Sequence, residues 1–174
     1  MFGLRPYSAP QTALEIANGF INIANQQTIE DPKTGEQISE GITHLKLQKL
    51  LYFAQAAHLA LFDTELFSDE ILAWKYGPVV PSVYKEFAAH KAELIPFVET
   101  THSTPPDVEQ FLKEVWKLFG KYSATELVNL SHQHTPWKEC DQGAVIEKAV
   151  IRDFYKTVFV FKQDDSPDQE RSAT

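Results

Sequence analysis

The sequence predicts a mainly α-helical fold, a single compact domain of about six helices around a buried central helix, with a short β-strand or hairpin near residues 66–76. Along most of the chain, apolar residues recur at intervals of three and four, the spacing of one helix face. In segment 44–61 they cover nearly the whole helix circumference, which is typical of a helix buried on all sides. With 174 residues, 43% of them hydrophobic, the chain is large enough for a sizeable core.

The first predicted helix covers about residues 10–27. Ser8 is its predicted N-cap and Pro10 lies just inside it. The apolar residues that follow at helical spacing are Leu14, Ala17, Ile21 and Ala24. Segment 28–42 contains Asp31-Pro32 and two glycines among polar residues. This composition predicts a turn-rich loop or a small hairpin.

Thr43 is predicted to cap the central helix, 44–61. The residues that form its first apolar face are Leu47, Leu50, Leu51, Ala54, Ala57 and Leu61. A strip of polar side chains at i, i+4 and i+7 interrupts the apolar surface: Gln48, Tyr52 and Gln55. Such a strip reaches either a neighbouring backbone or a partner, and packing within the protein is the favoured role.

A stiff aromatic segment follows the central helix. It contains Trp74, Tyr76, Gly77, Pro78, Val79, Val80 and Pro81. Proline fixes φ near −65° and glycine permits backbone angles that other residues resist, so the segment is predicted to be a rigid turn. A short strand at 71–76 would place Trp74 on one side and Lys75 on the other.

Apolar spacing predicts four further helices, at about 81–93, 108–119, 123–133 and 145–160. Pro81 suits the first turn of helix 81–93. Gly120 is expected to end helix 108–119. Ser123 and Glu126 have the spacing of a capping box.

Composition limits the classes of function. Sixteen basic and twenty-four acidic residues give a formal net charge of −8, which disfavours binding to nucleic acid. An acidic surface would steer a basic partner, although many soluble proteins are acidic without such a partner. Because Cys140 is the single cysteine, no internal disulfide can form and a reducing compartment, the cytoplasm, is expected. No signal peptide and no apolar run of about 20 residues is present, so no membrane association is predicted.

The histidines and the cysteine are the candidates for metal binding or nucleophilic catalysis. His132, His134, Cys140 and Asp141 lie close together in sequence, but residues two apart on a helix point roughly 200° away from each other. They share an ion only if the helix has ended near Gln133, so a zinc site is disfavoured. A Cys140 nucleophile would need an orienting group and an oxyanion site that the sequence does not display. The usual phosphate-binding, zinc-protease and hydrolase motifs are absent, and no catalytic residue, metal or cofactor is predicted.

His58 lies on the same helical face as Leu51, Ala54 and Leu61. In that position it acts either as a titrating base or switch near neutral pH or, more often, as a hydrogen-bonded core residue.

The candidate partner-binding residues are Trp74, Lys75, Tyr76, Tyr84 and Lys85. Aromatic side chains with polar tips are enriched at interface hot spots, and a rigid loop loses little entropy on binding. For Trp74 a core position beside the central helix is favoured. For Lys75 and Tyr76 the two roles are evenly balanced, because neighbours on an extended segment face opposite ways and at least one reaches solvent.

Three motifs, LQKLLYFAQ, AWKYGPVVPSVYKEF and LSHQHTPW, resemble the Panacea domain, the SocA-like antitoxin family. They run from about Leu45 to Trp137, and looser similarity extends over most of residues 8–160. The resemblance implies an antitoxin, within a domain of residues 1–161, that binds and neutralises a protein toxin encoded beside it. It also implies that members pair with chemically unrelated toxins and that SocA-like members can deliver the toxin to a protease. A homodimer or a toxin–antitoxin heterotetramer is compatible with that role.

Two alternatives remain open from the sequence. As a proteolytic adaptor, the protein would bind a toxin or other cargo and a protease at separable surfaces, and the polar tail 162–174, which is predicted to be disordered, could serve the protease. As a small metal-dependent hydrolase, it would carry a metal at His132. The first alternative is favoured over the second.

Overall fold

A computed structural model describes residues 10–99 and 104–160 of the chain. In these ranges the α-helices are α1 Ala13–Gln26, α2 His44–Phe62, α3 Pro81–Phe87, α4 Pro106–Phe119, α5 Ala124–Gln133, α6 Thr135–Lys138 and α7 Lys148–Val160. Two antiparallel hairpins pair β1 Thr28–Glu30 with β2 Gln37–Ser39, and β3 Leu72–Trp74 with β4 Gly77–Val79. The predicted mainly α fold with a short hairpin is therefore confirmed.

Helix α2 is the centre of the fold, as predicted. It packs against α1, α3, α4, α5, α7 and β4. The Thr43 side chain accepts the backbone N–H of Lys46 and caps the helix, and Asp63 ends it in the left-handed conformation. The fully buried apolar residues of α2 are Leu47, Leu50, Leu51, Tyr52, Phe53, Ala54, Ala56 and Ala57. Because they point in every direction around the helix, all the neighbouring elements share one core.

Helix α1 begins at Ala13, so its predicted start near residue 10 is wrong. Thr12 is the N-cap and forms a capping box with Glu15. The preceding residue is held in an extended conformation, since the Gln11 N–H donates to the Leu66 carbonyl at 3.0 Å. The predicted cap Ser8 lies outside the described residues. Segment 28–42 forms the β1–β2 hairpin, the second of its two predicted structures.

The chain between α3 and α7 follows the prediction in part. Helix α3 ends at Phe87 and continues only as a 3₁₀ turn, Ala88–His90. The Ser123–Glu126 capping box is confirmed at the start of α5. The short helix α6 was not predicted, so the described part of the chain has seven α-helices rather than six.

The last helix starts at Lys148 rather than at 145, because the residues before it are paired with β3. The Ala73 N–H donates to the Ala144 carbonyl at 2.9 Å, and the Ile146 N–H donates to the Ile71 carbonyl at 2.8 Å. Val150, one of the apolar residues whose spacing predicts this helix, is exposed. The predicted disordered tail from Lys162 lies outside the described residues. Among the described helices, none has both the length and the apolar character needed to span a bilayer.

Candidate protein-binding site

The β3–β4 hairpin turns at Lys75 and Tyr76. Trp74 pairs with Gly77 across the hairpin, which leaves these two residues as the turn itself. Both are exposed, Tyr76 to 63%, and the Lys75 Nζ lies 5.4 Å from the centre of the Tyr76 ring. The predicted strand therefore ends at Trp74. Lys75 and Tyr76 both reach solvent, because a turn does not impose the alternation of a strand.

The rigid turn predicted over the whole of 74–81 is corrected by the structure. Gly77, Pro78 and Val79 form the buried strand β4, whose partner is β3. Gly77 has φ +98°, a backbone conformation that favours glycine. Proline is tolerated in this strand because a two-stranded hairpin leaves an outer side on which no N–H is required.

Lys49 on α2 holds β4 from below. Its side chain is completely buried, and its Nζ donates to the Pro78 carbonyl at 2.5 Å. Among the described residues the ammonium group forms no ion pair with a carboxylate. Burial lowers the pKa of Lys49 to about 7. Strand β4, which follows the exposed turn, is thus held by Lys49, whose charged form is unfavourable in a buried position.

Two histidines lie close enough to Lys49 for its charge to affect them. Burial, then the charges of His90 and Lys49, lower the pKa of His44. Burial and then Lys49 lower the pKa of His132. The Nε2 atoms of His44 and His132 are buried and have no hydrogen-bond partner among the described residues. Both histidines are therefore favoured in the neutral form.

Two glutamines of the predicted polar strip reach neighbouring backbone, one of the two roles expected for it. The Val80 N–H donates to Gln48 Oε1 at 2.8 Å, and Gln48 Nε2 donates to the Val80 carbonyl at 3.4 Å. Gln55 binds the Leu66 N–H and the Phe67 carbonyl, both at 2.7 Å. Helix α2 thus fixes the two ends of the segment that carries the exposed turn.

Replacing Gln48 by methionine is expected to lower the free energy of unfolding by about 2 kcal/mol, because the buried Val80 N–H and carbonyl lose their partner. Urea unfolding measures this change. Gln110→Met is the matched control, since that glutamine is exposed and, within the described ranges, binds Glu114 on its own helix. An equal loss in the two variants would contradict the role given to Gln48.

Aromatic rings tie the hairpin to its neighbours. The Trp137 Nε1–H donates to the Trp74 carbonyl at 2.9 Å. The ring of Trp74 meets that of Tyr84 edge-on, with centroids 4.9 Å apart, and Tyr84 meets His44 at 4.8 Å. Trp74 is half-buried rather than sealed in the core as favoured from the sequence. It lies between the core and the exposed rings.

The five predicted partner-binding residues lie on two elements, the β3–β4 hairpin and α3, which the ring contact of Trp74 with Tyr84 joins. We name this set the aromatic corner: Trp74, Lys75, Tyr76, Tyr84 and Lys85. Tyr84 is 40% exposed and Lys85 is exposed on the same short helix. Neither lysine pairs with a carboxylate among the described residues. The corner therefore exposes aromatic rings and ammonium groups that form no ion pair with a described carboxylate. Lys49 and Gln48 of α2 hold the backbone of the hairpin segment in place.

The residues considered for metal or nucleophilic chemistry are engaged elsewhere. The His132 ring stacks on Trp137 with centroids 3.8 Å apart, and His134 Nδ1 lies 2.7 Å from the Tyr155 hydroxyl. In the described ranges, no group of three or more His, Cys, Asp or Glu side chains is arranged to hold a metal ion. Burial, with Asp141 and Glu147, raises the pKa of the Cys140 thiol, which disfavours the thiolate that a nucleophile requires.

His58 is a hydrogen-bonded core residue, the second of the roles considered for it. It is 4% exposed, and its Nδ1 lies 2.5 Å from the Thr64 carbonyl. Its ring meets Phe62 and Phe111 edge-on at 5.0 and 5.3 Å.

Sequence reasoning missed Lys49, Ser131 and Trp137 as supports of the corner. In the sequence, Lys49 is one of the polar residues that interrupt an apolar helix. Its position in a helix that is apolar nearly all round was the signal that could have indicated a buried ammonium group.

Comparisons with known proteins agree with the motifs. The family model described as "Antitoxin SocA-like, Panacea domain" matches residues 47–138. A protein named "Antitoxin SocA" from Caulobacter vibrioides (strain NA1000 / CB15N) is 34% identical over 115 residues, 59% of this chain. The chain spans 61% of that relative's length. No solved structure matches the chain.

Proposed function

Because the chain belongs to the "Antitoxin SocA-like, Panacea domain" family, we propose that it is the antitoxin of a toxin–antitoxin pair and that it neutralises its toxin by direct binding. The name of the similar Caulobacter protein supports the antitoxin role. The observation that supports binding is the aromatic corner, which is exposed, rigidly held and inside the matched segment 47–138.

The corner has the physical properties of a docking site. Tyrosine and tryptophan supply a large contact area with few rotatable bonds, and both residue types are enriched at hot spots. The backbone that carries them is fixed by Lys49 and Gln48, so little conformational freedom is lost on binding. Lys75 and Lys85 add charge around the rings and can orient the toxin as it approaches.

The proposed mechanism is stoichiometric. The bound antitoxin covers the active or substrate-binding surface of the toxin, or stabilises an inactive form of it. A nanomolar complex requires about 12 kcal/mol, which one exposed ion pair cannot supply. Several anchors of the corner must therefore be buried together, and no turnover is needed for the effect.

Co-expression with the product of the neighbouring reading frame tests this function. We expect the neighbour alone to arrest growth and co-expression of this chain to restore it. The two proteins should also elute as one complex in size-exclusion chromatography. A harmless neighbour, or rescue without a complex, would contradict neutralisation by direct binding.

A further inference from the structure

The β1–β2 hairpin is a second surface that the proposed function does not use. It precedes the segment 47–138 that matches the family model. All six residues of its strands are exposed. Since strands of three residues bury little surface of their own, the side chains of this hairpin stay largely in solvent.

One face of this hairpin carries an aliphatic pair. Ile29 and Ile38 lie directly opposite each other in the ladder and are 44% and 41% exposed. The next residue, Ser39, points to the other face, where its hydroxyl donates to the Asn25 carbonyl of α1. Because successive side chains alternate between faces, the isoleucine pair faces away from the body of the protein.

The outer edges of the strands also have free backbone groups. One hydrogen bond ends the ladder on each side. The Asp31 N–H donates to the Glu36 carbonyl at 2.8 Å, and the Glu40 N–H donates to the Gln27 carbonyl at 2.9 Å. In an antiparallel ladder, residue pairs that bond across the ladder alternate with pairs whose backbone groups point outward. The backbone N–H and C=O groups that point outward here are those of Thr28, Glu30, Gln37 and Ser39. Among the described residues they form no further backbone hydrogen bonds.

The charge of the hairpin indicates what covers it. Its turn and ends carry one lysine, Lys33, and four carboxylates, Glu30, Asp31, Glu36 and Glu40. Glu40 pairs with Lys46 at 3.6 Å, so three of the carboxylates remain to set the charge of the hairpin against Lys33. A second copy of this chain, with a formal charge of −8, would bring like charges together. A basic segment would instead be attracted.

We propose that the β1–β2 hairpin binds a basic, extended segment of a partner protein as a third strand. The segment's main chain would bond to the free edge of β1 or β2, and its apolar side chains would cover Ile29 and Ile38. Strand addition of this kind takes affinity from the backbone and specificity from the side chains. This site is separate from the aromatic corner and does not depend on the proposed antitoxin function.

Titration of the full chain with two synthetic peptides tests the proposal. The probes are Lys-Val-Lys-Val-Lys and Glu-Val-Glu-Val-Glu, blocked at both ends. Binding is monitored by the amide chemical shifts of the ¹⁵N-labelled protein. We expect the basic peptide to bind at least about tenfold more tightly, with shifts centred on 28–40, and its affinity to fall at high salt. The double variant Ile29→Thr/Ile38→Thr should weaken binding by about tenfold, since threonine keeps the strand preference but loses apolar surface.

Val150→Thr is the matched control, because that valine is 46% exposed on α7, and it should leave the peptide affinity unchanged. Equal affinity for the two peptides would overturn the proposal. So would binding that is insensitive to the isoleucine variant, shifts centred on the aromatic corner, or dimerisation of the free chain that the isoleucine variant abolishes. None of these results bears on growth rescue by the antitoxin.

Discussion

The Gly77→Ala variant is expected to lose about 3 kcal/mol of unfolding free energy, a fall in Tm of roughly 6–12 °C. Two effects add at this position. The backbone has φ +98°, and a Cβ there would lie 2.8 Å from both Lys49 Nζ and Ser131 Oγ. Moving either neighbour would disturb a hydrogen bond. The lysine is buried on the Pro78 carbonyl, and the serine hydroxyl donates to the Val128 carbonyl at 2.8 Å.

Gly143→Ala separates these two effects. Gly143 also has a positive φ, +85°, but a Cβ at that position would meet no atom within 4 Å. Its expected cost is therefore backbone strain alone, about 1 kcal/mol. Thermal unfolding of the two variants gives the comparison. Equal losses would show that the contact with Lys49 and Ser131 does not constrain the hairpin.

The second large effect is a rise of stability with pH caused by Lys49. Its pKa is about 7 in the folded protein against an ordinary value of 10.5 for lysine. Between these values the unfolded chain binds more protons than the native protein, so the free energy of unfolding increases with pH. For this one group the increase is about 1.5 kcal/mol from pH 7 to about pH 8.5. Below pH 7 the native state carries the full cost of the buried ammonium.

Other groups titrate mainly outside this window. The lowered pKa values of His44, His132 and His134 raise stability with pH only up to about their unfolded value of 6.5. The raised pKa of Cys140 lowers stability as pH rises through 9.0, the ordinary pKa of the thiol in the unfolded chain. The interval between pH 7 and about 8.5 therefore reports chiefly on Lys49.

Urea unfolding across that interval, with Lys49→Met, tests the assignment. We expect the variant to have a nearly constant free energy of unfolding, because the titrating amine is gone. Lys85→Met, which removes an exposed lysine, should keep the wild-type slope. A slope that persists in Lys49→Met would exclude this residue as its source.

Local signals predicted much of the fold. The all-round apolar pattern and Thr43 located α2, and the Ser123–Glu126 spacing located the start of α5. The errors arose where a distant segment takes the backbone bonds. Ala144 pairs with β3 and delays α7, and no periodicity within 145–160 reports that pairing.

The candidate site was predicted in its exposed part and missed in its support. Aromatic side chains and lysines on a stiff segment pointed to the five residues of the corner, of which Lys75, Tyr76, Tyr84 and Lys85 are exposed and Trp74 is half-buried. Lys49, Ser131 and Trp137 hold the corner through contacts that join residues far apart in sequence, such as Lys49 with Pro78. Spacing along a helix reveals which residues share a face, but it does not reveal which carbonyl a buried side chain meets.

The central claim is tested most directly by an affinity measurement. The purified chain is titrated with the product of the neighbouring reading frame, as wild type and as variants of the aromatic corner. Tyr76→Ala and Tyr84→Ala should each weaken binding by about 30-fold, the loss typical of a hot-spot residue. Tm should stay close to the wild-type value in Tyr76→Ala and fall modestly in Tyr84→Ala, which loses ring contacts with Trp74 and His44. Phe97→Ala, which removes a ring that is 54% exposed on the segment beside α1, should leave the affinity unchanged. Wild-type affinity in folded Tyr76→Ala and Tyr84→Ala proteins would contradict the claim that the aromatic corner binds the toxin.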